Sequence, residues 1–209
     1  MDANRFVALW QRAGSRRSVA DIRRLFHEVQ AHYDESHRQY HTPNHIRHCL
    51  RELDQIPRPL QDADAIELAI WFHDVIYDIG QPDNEAQSVV LFEQVSDGDL
   101  TKNIRDQVSR LIMATCHGDV LKNLDEQYTA DIDLSSFGLP WEAFLDDSIR
   151  VRGELTHQTD AEFLAGHRKF VSFLLNRPRI YFTDHFHDRY EARARANIQR
   201  RLEQLTSAG

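Results

Sequence analysis

The stretch ADAIELAIWFHDVI, residues 63–76, decides the fold. At helical spacing, Ala65, Ile66, Leu68, Ala69, Ile70, Trp71, Phe72, Val75 and Ile76 leave almost no polar side. A helix that is apolar nearly all round belongs at the centre of a domain. Inside this run stands His73-Asp74. Burying both groups is costly unless they are paired or bound to a metal. Adjacent residues on an ideal helix point about 100° apart, so both reach one ion only near a helix end or a distortion. Asp78 and Gly80 put that end close by.

Helical periodicity continues outward in both directions. Upstream, Phe6, Leu9 and Trp10 make a short amphipathic turn that stops at Gly14. Ser18 caps a helix with Ile22, Leu25, Phe26, Val29 and Tyr33 on one face. Thr42-Pro43 reads as N-cap plus first-turn proline, opening a helix through Ile46, Cys49, Leu50 and Leu53 that Pro57 and Pro59 end. Downstream, Asp83 caps a helix over 84–95, and another runs from about Leu100 to Cys116. Residues 118–127 are polar and read as loop. Asp131 to Phe137 is a short helix or turn ended by Gly138, and Pro140 opens a helix through Ile149. Asp160 caps a helix carrying Phe163, Leu164, Phe170, Val171, Leu174 and Leu175, which Arg177-Pro178 breaks. A last helix spans about Asp184 to Leu205, and only Arg179 to Thr183 looks β-like. The expectation is a single all-α domain over residues 1–209, a bundle of about nine helices with short connections.

Composition narrows the class. Of 209 residues, 41% are hydrophobic and 28% charged, which argues against global disorder. Eight glycines and six prolines are too few for a turn-rich all-β chain. The net charge of −8 disfavours general nucleic-acid binding, which is driven by phosphate neutralisation, while leaving room for a local basic pocket. Cys49 and Cys116 lie in apolar stretches and read as small core residues, without a disulfide. The start, MDANRFVALWQRAG, lacks the pattern of a secretory signal. No apolar run reaches the roughly 18 residues of a membrane span. The expectation is a cytoplasmic chain with no membrane contact. Helix faces serve cores and interfaces alike, so no oligomeric state is assigned.

Twelve histidines are many, and imidazole is the commonest metal ligand and acid–base group. In RQYHTPNHIRH, residues 38–48, His41, His45 and His48 share one helical face if the helix starts near Thr42; alone, that is also the pattern of a solvated polar face. Asp131 and Asp133 flank Ile132 and diverge at helical spacing, so only one joins any given site; Asp131 also suits an N-cap. His117 ends a long amphipathic helix, where a cationic ring is favoured anyway. Arg189, Arg193, Arg195, Arg200 and Arg201, partly balanced by Glu191 and Glu203, read as a solvated helix face.

Taken together, His45, His73-Asp74 and Asp133 resemble the H…HD…D metal signature of the HD-domain phosphohydrolases. The wider strings RQYHTPNHI, AIWFHDVIYD, NEAQS, LIMATCH and DIDLSSFG resemble one bacterial branch, the predicted metal-dependent HD phosphohydrolases. VRGELTH, RPRIYFT and EARARAN extend the likeness, which covers roughly residues 36–200. Leu155 departs from it, where that branch has an aromatic residue. The resemblance implies an all-helical, metal-centred bundle with His45, His73, Asp74 and Asp133 as ligands. Asp133 is preferred over Asp131 because the second acid of such a pair serves the metal in related domains.

Two imidazoles and two carboxylates suit one divalent ion of Mn, Fe, Co, Ni, Zn or Mg. The implied activity is hydrolysis of a small phosphate ester or nucleotide by metal-activated water. Asp78 and Glu85 are the acids expected to manage protons. His41 and His117 are expected to hold a second ion or contact phosphate, and Arg38 and Arg152 to contact phosphate. Two further readings share the fold. One is a di-iron HD oxygenase using the extra histidines at 41, 48 and 117. The other is a binding domain whose ion is purely structural.

Overall fold

The computed structural model describes residues 1–57, 60–118, 121 and 123–207. Its centre is α4, Ala63–Phe72, started by Asp62, whose carboxylate accepts from the Ala65 amide at 3.0 Å. Ile66, Leu68, Ala69, Trp71 and Phe72 expose essentially nothing. Full burial of each large side chain stabilises the fold by about 1.5–3 kcal/mol. Around α4 pack α1 (Ala3–Arg12), α3 (Pro43–Asp54), α6 (Lys102–Ala114) and α7 (Leu124–Leu134). Phe6 of α1 meets Trp71 edge-on at 5.1 Å and Phe26 of α2 (Val19–Tyr33) at 5.7 Å. Of the two acids in α4, Glu67 is buried against Arg5 at 2.6 Å and Arg12 at 3.2 Å.

The remaining elements are α5 (Asn84–Ser96), a 3-10 turn (Ser135–Gly138), α8 (Trp141–Glu154), α9 (Asp160–Asn176) and α10 (Asp184–Ser207). The chain is all-α: ten α-helices and no strand among the described residues, where the sequence predicts about nine helices. Core side chains from Phe6 to Ile198 form one cluster. No helix among the described residues is long and apolar enough to cross a membrane.

Several boundaries differ from the sequence expectations. The central helix stops at Phe72 rather than near Ile76, and His73 is its C-cap. α6 begins after Thr101, whose hydroxyl accepts from the Ile104 amide, and ends at Ala114. Cys116 therefore lies beyond the buried face of that helix and is exposed, not a core residue. The polar segment 118–127 is not all loop, because Asn123 caps α7 from Leu124 onward. Thr159, not Asp160, caps α9, in a reciprocal capping box with Glu162. Pro59 lies outside the described residues.

Residues 179–183 are not a strand. Carboxylates satisfy their amides instead: Glu191 accepts from Ile180 and Tyr181, and Asp131 from Phe182 and Thr183. The basic last helix is not simply a solvated face either. Arg195 donates to the Leu175 and Arg177 carbonyls, Arg193 to Gly138, and Arg201 to Ser148 Oγ. Arg200 stacks 3.9 Å from the centre of the Trp141 ring.

α10 lies directly on the 3-10 turn. Asn197 donates to the carbonyls of Phe137 at 2.8 Å and Leu139 at 2.9 Å. A Cβ on Gly138 would sit 2.4 Å from Tyr190 Cβ, with no flexible atom to give way. Gly138→Ala is therefore expected to destabilise the protein by about 1–3 kcal/mol, the usual cost of overpacking. Urea unfolding checks this; an unchanged midpoint would show that α10 can shift away from the turn.

Candidate metal centre

Three helices deliver the central residues. Thr42 caps α3, whose first turn holds both Pro43 and His45, the latter buried at 4% exposure. α4 ends at its C-cap His73, so Asp74 has left the helical path and its carboxylate turns back toward the ring of His73. α7 supplies Asp133 near its C-terminus. His45 Nε2 and His73 Nε2 lie 3.1 Å apart. Asp74 Oδ2 is 2.9 Å from His73 Nε2, and Asp133 Oδ1 is 3.1 Å from His45 Nε2. The four residues each offer one ligand atom, all within 4.8 Å of one another, so the group can hold a metal ion.

The donor chemistry fits a cation. His73 Nδ1 donates to the Ile70 carbonyl at 3.0 Å, which leaves Nε2 as the nitrogen available to a metal. Burial opposes charge on Asp74 and Asp133, yet the surrounding imidazoles outweigh it and hold both carboxyls below their usual range. Both acids can thus meet a cation as carboxylates. Burial alone would lower the His73 pKa; Asp74 and Asp133 raise it well above the ordinary value.

The other predicted residues divide. His117 joins the centre, with Nε2 2.8 Å from Asp133 Oδ2. Its backbone is left-handed at φ 56°, and Arg177 donates to its carbonyl. His41 precedes α3, so the three histidines do not share one helix. It lines a cavity of about 320 Å³ that Asp74, His117 and Asp133 also line, and it stacks on Tyr77 at 4.1 Å. His48 points elsewhere, to Ser135 Oγ at 2.8 Å. Glu85 lines the cavity, whereas Asp78 is exposed and outside the lining. Arg38 and Arg152 do not line it either. Arg38 donates to the carbonyls of His41, Asp74 and Val75, and Arg152 to those of Leu155 and Gln158 and to Asp160. Their guanidinium groups are occupied by the protein, which corrects the expectation of phosphate contacts.

Asp131 is fully buried and caps no helix, contrary to the alternative expectation. It accepts from the Phe182 and Thr183 amides and the Thr183 hydroxyl at 2.7–2.8 Å. Sequence reasoning missed Glu154, although VRGELTH contains it. This buried carboxylate accepts from the amides of Gln39, Tyr40 and His41 and from His41 Nδ1 at 2.6 Å. Burial would raise its pKa, but His41 and these amides hold it at about 2. The available signal was an acid within a matched string, not tied to any helix face. Asn84 and Ser88 of NEAQS shape the loop after α4, bonding the backbone of Asp78 and Ile76.

No family model matches the chain, and no curated protein or solved structure matches it.

Two expectations follow. Asp133→Asn should abolish stoichiometric metal binding while the fold persists. Asp131→Ala should instead destabilise by about 3 kcal/mol or more, because two amides lose their acceptor at about 1–3 kcal/mol each. Metal analysis and urea unfolding of both variants check this; equal metal loss with unchanged stability in each would refute the division.

His167 lines the cavity, and burial, aided by Arg201, lowers its pKa to about 4. An unfolded chain takes up this proton below about 6.5. The stability contributed by neutral His167 is therefore complete above that pH and declines toward pH 4. His167→Gln should narrow the melting-temperature gap to the wild type between pH 7.5 and 5. A gap independent of pH would contradict this.

Proposed function

We propose that the chain is a metal-dependent phosphohydrolase of the HD-domain type, acting on a small phosphate ester or nucleotide. The observation that carries the reading is the convergence of His45, His73, Asp74 and Asp133, whose two carboxylates stand in the wall of a cavity of about 320 Å³. The same four residues carry the H…HD…D resemblance. A buried two-imidazole, two-carboxylate set suits one divalent ion among Mn, Fe, Co, Ni, Zn and Mg. When bound, such an ion lowers the pKa of water and offsets charge on a phosphoryl oxygen.

The chain's own residues supply the rest. Asp74 and Asp133 stay anionic and fix the two imidazoles. Glu154 accepts the Nδ1 proton of His41, which turns Nε2 of that ring to a phosphoryl or leaving-group oxygen. Glu154 also binds three successive amides of the loop that carries His41, so ring and loop are positioned together. Glu85, at the cavity wall, takes the proton of the attacking water, the role the sequence reading shared with Asp78. Phe137, Phe144 and Phe170 line the apolar part of the wall.

Purified protein should contain about one divalent ion per chain and hydrolyse phosphate esters from a broad panel. His73→Ala with Asp74→Ala should lose the ion and the activity. Glu154→Gln should keep the ion and lower kcat by about 10²-fold, the scale of one positioned proton donor. A loaded chain that hydrolyses no ester or anhydride would overturn the reading. Two irons per chain with oxygen consumption would point to the di-iron alternative. A bound ion without any turnover would point to the structural one.

A further inference from the structure

The cavity beside the ligand cluster has an unusual charge pattern. Its lining holds Asp74 and Asp133 and two further acids, Glu85 and Asp147. No lysine or arginine lines it among the described residues. Leu134, Phe137, Phe144, Val151 and Phe170 form much of the remaining wall. Among the described residues, no hydrogen bond or ion pair engages the carboxylate of Asp147 or of Glu85. Asp147 is half-buried on α8, and burial holds its carboxyl above the usual range. Asp147 also lines an adjoining cleft, shared with Tyr40 and Ser136, that holds Arg51 and Arg150; neither arginine forms an ion pair with it, and Arg150 is paired with Asp146 at 2.8 Å.

This arrangement bears on substrate choice. Four carboxylates outweigh one divalent ion even with a proton on His41, whose charge Glu154 already balances. A nucleoside triphosphate would add several negative charges where no guanidinium or ammonium receives them. The cavity is also at the small end of ligand pockets. An unpartnered carboxylate among phenyl rings suits an organic cation, whose apolar body the rings cover and whose charge the acid and ring faces attract. A compact phosphomonoester with such a cation is the charge-balanced occupant.

We infer that the substrate is a phosphomonoester with an apolar body and a cationic amine, the phosphate lying at the His45/His73/Asp74/Asp133 cluster and the amine at Asp147. This rests on the phosphohydrolase reading above and narrows it away from polyphosphate nucleotides. Asp147 is the specificity residue; it takes no part in the bond that breaks.

The test uses the full chain loaded with Mn²⁺. Initial rates are measured on 4-(aminomethyl)phenyl phosphate, 4-methylphenyl phosphate, AMP and ATP. Binding of 4-(aminomethyl)phenol to the metal-free chain is measured in parallel by calorimetry. The ammonium ester is expected to exceed the methyl ester in kcat/KM by at least about tenfold, with ATP the poorest substrate. Asp147→Asn should bring that ratio to about one and weaken amine binding at least about tenfold, and Asp147→Glu should restore part of both. Melting curves establish that each variant is folded. Esters hydrolysed with no ammonium preference, or with a ratio that Asp147→Asn leaves unchanged, would overturn the substrate inference and leave the phosphohydrolase reading standing. Hydrolysis of no ester, with amine binding still dependent on Asp147, would overturn the phosphohydrolase reading and keep the cation site. Failure of both measurements would remove both.

Discussion

The guanidinium of Arg38, with no exposed side-chain surface, joins the two halves of the candidate metal centre. α4 stops at Phe72, so the carbonyls of Asp74 and Val75 leave the helical ladder inside the protein. Buried carbonyls need donors. Arg38 meets both, at 2.6 and 2.9 Å, and also reaches the carbonyl of His41. Its charge is balanced by Glu35 at 3.0 Å and by the ring faces of Tyr33 and Tyr77. Because Arg38 lies just before α3, this contact ties the entry of α3 to the exit of α4. His45 and His73 converge as a result. Helical phase alone would not bring them together.

The same device recurs elsewhere. Glu154 gathers three amides of the His41 loop, Asp131 gathers those of Phe182 and Thr183, and Glu191 those of Ile180 and Tyr181. Each is a buried or nearly buried carboxylate that satisfies backbone outside any helix. Charge-assisted bonds of this kind are among the stronger ones available. They let irregular segments run through the interior of a chain that has no sheet. The metal centre belongs to this polar framework as much as to the apolar core, and loss of a framework acid disturbs backbone before it disturbs chemistry.

The likeness strings now carry physical roles. In DIDLSSFG, Asp133 faces the cluster, Asp131 anchors residues 182–183, Ser135 meets His48, Ser136 meets Tyr40, and Gly138 admits Tyr190. In EARARAN, Glu191, Arg193, Arg195 and Asn197 all bond backbone. The all-α class and most helix starts were legible, since periodicity and caps are local signals. The four proposed ligands were legible through their pattern. Glu154 and Asp147 were not, because nothing local marks an acid whose partner, or lack of one, depends on distant chain.

The sequence by itself determined the helical class, the buried apolar centre over 63–76, and the conflict of placing His73-Asp74 within it. It also narrowed the Asp131–Asp133 choice, since two acids at that spacing diverge. Only the tertiary structure decided where α4 stops, and hence that Asp74 turns back to His73. Only it showed Arg38 and Arg152 occupied by carbonyls, Asp78 exposed and Glu85 at the cavity wall. Capping and periodicity act over a few residues. Which charges end unpaired depends on groups brought together from across the chain, and burial then sets the cost of leaving each one alone.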